Sequence, residues 1–476
     1  MDRKIILFEL NEVPFRIIDQ FRRWRPGSTI AKRFHEFSQY ETYCEEKTHL
    51  SPWLTWPSVY RGVTDEQHQI YNFGQDLTEV DRDFPTLWNL LAANGVKTGV
   101  FGSLHTFPLP KDLSNFAFYV PDVFAAGSEC FPKNVEVFQE FNLSMSRESA
   151  RNVKTSVLWK SAAKMLSRAP DLGFRMGTLA DLGGQLVSER FNRWKKARRR
   201  TYQAVLSYDI FLKQLKKTKP DFTTFFTNHV ASAMHRFWAA AFPDDYEDFE
   251  FTEEWVNTYC KEIDFAMTKL DDMVQRTMQF VDKNPEYELW LATSMGQAAT
   301  EAKLLLTQLF PTNLERFMKA LGVPDEAWET RPAMFAQANV FVKPDYLAHF
   351  RDKLERFSIA GEPLEYAESD NGFFSMWWGQ ANLQDQSGFL TLDGQVVSLE
   401  DFGMEFVTTD EGTGSNAYHI PQGMMLHYDP KSKPKVNGKP ATRSQISTLE
   451  IAPTILKNYS APIPEYMRSP VSIGSN

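Results

Sequence analysis

FPTLWNLLAANGVKTGVF, residues 84–101, joins two kinds of structure within one short stretch. Residues 84–95 read as a helix that Gly95 stops. Lys97 to Phe101 then reads as a short strand. The same signal recurs on both sides of it. Lys4 to Leu10 (KIILFEL) is a short apolar run ending in the polar Asn11 and Glu12. Phe222 to Thr227 (FTTFFT) follows Lys219-Pro220, and Glu288 to Thr293 (ELWLAT) is a fourth strand. Met424 to Tyr428 supplies a further candidate. Buried strands alternating with helices predict an α/β fold, with a mainly parallel central sheet flanked by helices. In such sheets, polar residues just beyond the strands' carboxyl ends mark the ligand crevice.

Two stretches leave that rhythm. Residues 125–205 read as a helical insertion rich in Arg and Lys, and residues 305–400 as a small α+β insertion. The core is then divided into residues 1–124, 206–304 and 401–476. The chain has 476 residues, 42% of them hydrophobic and 24% charged, ample for a sizeable core. Its net charge of -9 gives no general attraction to nucleic acid, and no nucleic-acid partner is expected. Any anionic substrate needs a local positive site. The basic run Arg193 to Arg200 (RWKKARRR) reads as a solvated helix face, since no strong apolar stripe is legible beside it. Cys44, Cys130 and Cys260 form neither a CxxC pair nor a disulfide framework. The apolar run after Met1 is too short for a signal peptide, and no stretch is long enough to span a bilayer. A cytoplasmic location is the resulting expectation. Oligomeric state is not legible.

Four blocks, in order, carry a family resemblance: KIILFELNEVP (4–14), LSPWLTWPSVYRGVTDEQHQIYNFG (50–74), TNHVASAMHRFW (227–238), and ATSMGQ (292–297) with GSNAYHIPQGMML (414–426). The tail ISTLEIAPTILKNYSAPIPEYM (446–467) extends the match. Together they resemble the alkaline phosphatase superfamily, nearest its type I phosphodiesterase and nucleotide pyrophosphatase branch. The resemblance implies an alkaline-phosphatase-like core, with Thr55 on the family's nucleophile. It places His235 and His419 on metal-binding histidines. Four of the family's ligands are replaced: Asn11 and Ala231 stand for aspartates, and Ser294-Met295 for an Asp-His pair.

In that family two metal ions clamp the attacking and leaving oxygens of phosphoryl or sulfuryl transfer and activate the hydroxyl nucleophile. Here one position is left with Asn11, Thr55, Ser294 and Met295, which bring no formal charge, so a two-metal site is not expected. The other keeps His235 and His419, and His229 offers a third nitrogen. Three histidines with an open position suit one divalent ion, zinc above all. Asn11, Asn228, Ser294 and Gln297 form a candidate polar set for substrate. Two readings stay open. The first is a phosphodiesterase-, phosphatase- or sulfatase-like hydrolase or transferase, acting on a small-molecule, glycan or lipid ester with Thr55 as nucleophile. The second is a pseudoenzyme that binds a phosphorylated or glycan ligand, or a partner protein, without turnover. Each residue also has a plain alternative. Thr55 could be a turn residue before Trp56-Pro57, and His235 a packed helical histidine.

Overall fold

Eight strands form the central sheet of the computed structural model, which describes residues 3–149, 155–333, 337–369, 372–378, 382, 389–409, 411–434 and 443–474. In chain order these strands are β1 (Lys4–Leu10), β2 (Ser38–Tyr43), β3 (Thr98–Phe101), β4 (Phe116–Val120), β5 (Phe222–Thr227) and β6 (Tyr287–Ala292). A two-stranded ribbon, β7 (Gly296–Ala299) with β8 (Ala417–Ile420), comes next, followed by β9 (Gln422–Tyr428) and β10 (Ser444–Ser447) of the large sheet. Across the sheet the order is β10-β2-β9-β6-β1-β5-β3-β4. Only β9 runs against the others. The expected mainly parallel α/β sheet is therefore present.

Alternation along β1 explains why both faces are covered. Ile6, Phe8 and Leu10 join one apolar core; Ile5 and Leu7 join another on the opposite face. The first core is closed by α3 (Arg199–Thr218), α4 (His229–Ala241) and α5 (Glu262–Lys283), the second by α1 (Pro52–Arg61), α2 (Leu87–Ala93) and α6 (Ile451–Asn458). Glu9 shares a face with Ile5 and Leu7 and is fully buried there. The helix expected over residues 84–95 is α2, which starts at Leu87, after Pro85 and Thr86.

Residues 309–407 hold a separate apolar core around Phe317, Val340, Phe350, Phe374 and Trp378. Two four-stranded sheets accompany it, and all six of their ladders, between Trp328 and Trp377 or between Phe357 and Val397, are antiparallel. Between β4 and α3 the described elements are helical, among them Glu136–Ser149, Thr155–Ser167 and Met176–Phe191. No helix among the described residues is long and apolar enough to cross a membrane.

Register decides where the chemistry gathers. Leu10 lies opposite Thr227 in the β1–β5 ladder, and Glu9 opposite Ala292 in the β1–β6 ladder. The three strands therefore end level at their carboxyl edge. The residues that follow, Asn11-Glu12, Asn228-His229 and Thr293-Ser294, emerge side by side.

Candidate metal and ester site

Glu12 turns out of β1 with φ at +60°, a left-handed conformation that side-chain-bearing residues adopt at a cost of about 1 kcal/mol. The turn sends its carboxylate back under the sheet edge, where only 2% of the side chain is exposed. Its Oε2 lies 2.9 Å from His235 Nε2 and 3.3 Å from His419 Nε2. Gln297 Nε2 donates to the same oxygen. Asn11 Nδ2 donates to Oε1 at 2.6 Å.

Each histidine is fixed from behind. His235 is on α4 and its Nδ1 donates to the Ala417 carbonyl at 2.8 Å; His419 is on β8 and its Nδ1 donates to the Leu50 carbonyl at 2.7 Å. A carbonyl can only accept, so the proton sits on Nδ1 and Nε2 faces inward as the ligating atom. His419 also lies directly opposite Gln297 in the β7–β8 ladder, which puts both side chains on one face. Neutral imidazoles in this tautomer point two lone pairs at a carboxylate. That arrangement is stable only with a cation among the three groups or with protons on the rings. Burial pushes the Glu12 carboxyl up, but the charges of His235 and His419 outweigh it and hold the group well below the usual carboxylate range. Burial likewise pushes His419 down, and the Glu12 carboxylate overrides it, so its net shift is upward.

Glu12, His235 and His419 bring one ligand atom each within 4.8 Å of one another. One carboxylate and two imidazoles form an accepted donor set for catalytic zinc. The buried Gln297 Oε1 has no hydrogen-bond partner among the described residues and adds an unused oxygen beside the cluster. A single divalent ion fits these residues.

Sequence reasoning missed Glu12. Asn11 sits where the resemblance places an aspartate, and attention to that position passed over the carboxylate next to it. A carboxylate within two residues of a buried strand's end was the available signal.

His229 does not join the pair. Its Nδ1 meets Thr227 Oγ1 at 2.6 Å and its Nε2 meets the Ala266 carbonyl at 3.2 Å, with the ring turned beneath α5. Burial drives its pKa down to about 4, leaving a neutral core histidine. Ala231 is fully buried on α4 and its carbonyl accepts from Gln297 Nε2 at 3.4 Å.

The residues expected at a second metal position bond one another. Thr55 Oγ1 and Ser294 Oγ are 2.8 Å apart, both fully buried. Trp56 Nε1 donates to Asn11 Oδ1 at 2.9 Å, and Asn11 Nδ2 donates to Asn228 Oδ1 at 2.8 Å. Met295 is buried and apolar. These groups satisfy one another, and none of Asn11, Thr55, Ser294 and Met295 carries a formal charge. Thr55 lies inside α1 rather than in a turn. Pro57 in that helix has no N–H for the Trp53 carbonyl, and His105 Nε2 bonds that carbonyl instead, at 3.0 Å. Asn228 is the exposed member of the polar set.

Asn416 ties the β8 histidine to the α4 histidine. It is buried, accepts from Ala239 N–H at 3.1 Å, and donates to the Arg236 carbonyl at 2.8 Å and to Thr413 Oγ1 at 3.1 Å. Asn416→Ala removes all three of these hydrogen bonds. We expect a loss of about 2 kcal/mol of stability in urea titrations, with zinc affinity weakened about tenfold as β8 loosens. Unchanged affinity would show that Asn416 holds the fold without holding the site.

No family model matches the chain, and no curated protein matches it in sequence. Solved structures do match. Murine ectonucleotide pyrophosphatase/phosphodiesterase 5, captured as an inactive variant in complex with AMP, is 8% identical with a TM-score of 0.40, the match covering 97% of this chain and 96% of that one. Alkaline phosphatase from the Antarctic bacterium TAB5 is 10% identical with a TM-score of 0.37, over 97% and 99% of the two chains. Phosphonoacetate hydrolase from Sinorhizobium meliloti, in complex with phosphonoformate, is 10% identical with a TM-score of 0.36, over 96% and 95%. All three belong to the alkaline phosphatase superfamily, which the sequence blocks resemble. The likeness is one of overall fold, and the site stands on its own residues.

Proposed function

We propose that this chain is a hydrolase or transferase of phosphate or sulfate esters, built on a single-metal centre of Glu12, His235 and His419. The convergence of those three ligand atoms within 4.8 Å carries the proposal. A zinc ion held there would polarise an ester oxygen. The chain's own groups do the rest. His235 is the most open of the three, with 22% of its side chain exposed, so a ligand approaches from its side. Asn228 offers an amide to a non-bridging oxygen, and Asn11 orients that amide through its hydrogen bond. Thr55 is the hydroxyl nucleophile, with Ser294 as its hydrogen-bond partner. Residues 125–205 and 305–400 are insertions into the core segments. The substrate is a small-molecule, glycan or lipid ester.

A binding-only reading has one observation in its favour: Thr55 is fully buried and already bonded to Ser294. Turnover separates the two. We expect purified chain with zinc to cleave an aryl phosphate, phosphodiester or sulfate, and Thr55→Ala to lower kcat about 100-fold with zinc content unchanged. Zinc binding without hydrolysis across such a panel would select the binding-only reading. Hydrolysis unaffected by Thr55→Ala would remove Thr55 from the chemistry.

A further inference from the structure

The helix Met176–Phe191 is assembled inside out. Thr178, Gln185 and Glu189 face the protein and are buried. Gln185 Nε2 donates to the Lys195 carbonyl at 2.8 Å, and Glu189 pairs with Arg199 at 2.9 Å. Leu179 and Leu182 rest half-buried on the core. The opposite face is apolar and open. Met176 is 80% exposed, Val187 61% and Phe191 83%, with Leu186 beside them at 38%. Ala180, Gly183 and Gly184 complete the face between them. A Cβ on either glycine would meet nothing within 4 Å. The spacing 176, 180, 183/184, 187, 191 is that of one helical stripe.

The surroundings of this stripe are basic although the chain as a whole is acidic. Residues 175–200 contain eight Lys and Arg against two Asp and Glu, in a chain of net charge -9. Arg175, Arg198 and Arg199 are spent on ion pairs with Asp272, Glu262 and Glu189. Arg190, Arg193, Lys195 and Lys196 have no carboxylate within salt-bridge distance among the described residues, and Lys195 Nζ donates to Ser188 Oγ at 2.7 Å. They follow directly on the stripe's Phe191 end. The basic run continues to Arg200, whose Nη1 donates to Ser232 Oγ on α4, one turn before His235.

We infer that the Met176–Phe191 face docks on an anionic phospholipid membrane. Met176, Val187 and Phe191 enter the interface, and Arg190, Arg193, Lys195 and Lys196 meet the headgroups. An exposed apolar stripe flanked by unpaired cations is the combination a bilayer surface selects: apolar burial supplies part of the affinity and each cation near an anionic leaflet adds to it. A protein partner of the usual kind would call for polar groups along the stripe, and the stripe has none between Val187 and Phe191 on its outer face except Arg190 at the edge.

The test is co-sedimentation of the full chain with vesicles of phosphatidylcholine alone, and of phosphatidylcholine mixed with phosphatidylglycerol. The anionic vesicles should bind at least about tenfold more protein, with the difference collapsing at high salt. Val187→Ser with Phe191→Ser should lower the bound fraction about tenfold, as should Arg193→Glu with Lys196→Glu. These side chains lie at the surface, so circular dichroism melting curves should overlay that of the parent. No binding to anionic vesicles overturns the inference. So does a parent dimer that Phe191→Ser converts to monomer without any vesicle binding, because a second copy would then be the occupant. Equal binding to both vesicle types would remove the headgroup role.

Discussion

Glu12→Gln should weaken zinc binding by the full chain about a thousandfold, a loss of about 4 kcal/mol. Two effects add. The amide offers a weaker ligand than the carboxylate, and it removes the negative charge that faces the two imidazoles. The substitution is nearly isosteric, so the hydrogen bonds around the side chain can largely persist. His235→Ala and His419→Ala should give comparable losses. His229→Ala should leave zinc content unchanged while lowering stability, because that ring bonds Thr227 and Ala266 and faces away from the cluster. Isothermal titration with zinc, with elemental analysis of dialysed protein, reads all four variants. A parent chain that binds no divalent ion defeats the metal centre. A Glu12→Gln variant that binds as the parent does defeats the ligand assignment and restores the sequence-based expectation of histidines alone.

Glu9→Gln should stabilise the protein by about 5 kcal/mol at pH 9 and by much less at pH 5. Glu9 is buried in β1 among Ile5, Leu7, Trp56 and Tyr60. Tyr60 OH and Ser103 Oγ donate to its Oε2 at 3.0 and 2.8 Å, while its Oε1 has no partner among the described residues. Burial pushes its pKa from 4.5 up to about 8, outweighing the hydroxyls of Ser103 and Tyr60. Between these two values the folded state holds a proton that the unfolded chain has released. Unfolding then releases protons, so stability falls as pH rises from 4.5 to about 8, and the penalty is complete above that. Gln cannot ionise, so its curve lacks this descent. Other groups titrate alike in both proteins and cancel in the difference. Urea midpoints at pH 5 and pH 9 measure it. Parallel curves would mean that Glu9 stays ionised in the fold.

The central strands were legible in the sequence, while the edge strand β4 (FAFYV), though buried, was not. Of the central strands, β1 and β6 are largely apolar and β5 combines Phe with β-branched Thr, so KIILFEL, FTTFFT and ELWLA stand out from polar neighbours. β2 (SQYETY) and β10 (SQIS) escaped notice because they lie at and next to the sheet's edge, where one face or end meets water. They join through backbone hydrogen bonds, which leave little trace in side-chain pattern. The site was legible in the same uneven way. His235 and His419 do meet, through Glu12, and Thr55 lies with Ser294 at the same sheet edge. His229 misled because six helical residues correspond to about 240° of rotation, so it and His235 leave α4 on different sides.

The amino-acid order alone determined the α/β alternation, the buried central strands and the residues at their carboxyl ends, since these follow from hydrophobic period and strand length. Tertiary structure decided what those residues do. A backbone rotation at Glu12 brought in a carboxylate from the position beside the expected one. Two carbonyls from distant segments set which nitrogen of His235 and His419 faces inward. On Met176–Phe191, the pairing of Glu189 with Arg199 turned the polar face inward and left the apolar one outside. The first two rest on contacts between segments far apart in the chain and the third on an ion pair between neighbouring helices, and the hydrophobic period of one element carries no record of any of them.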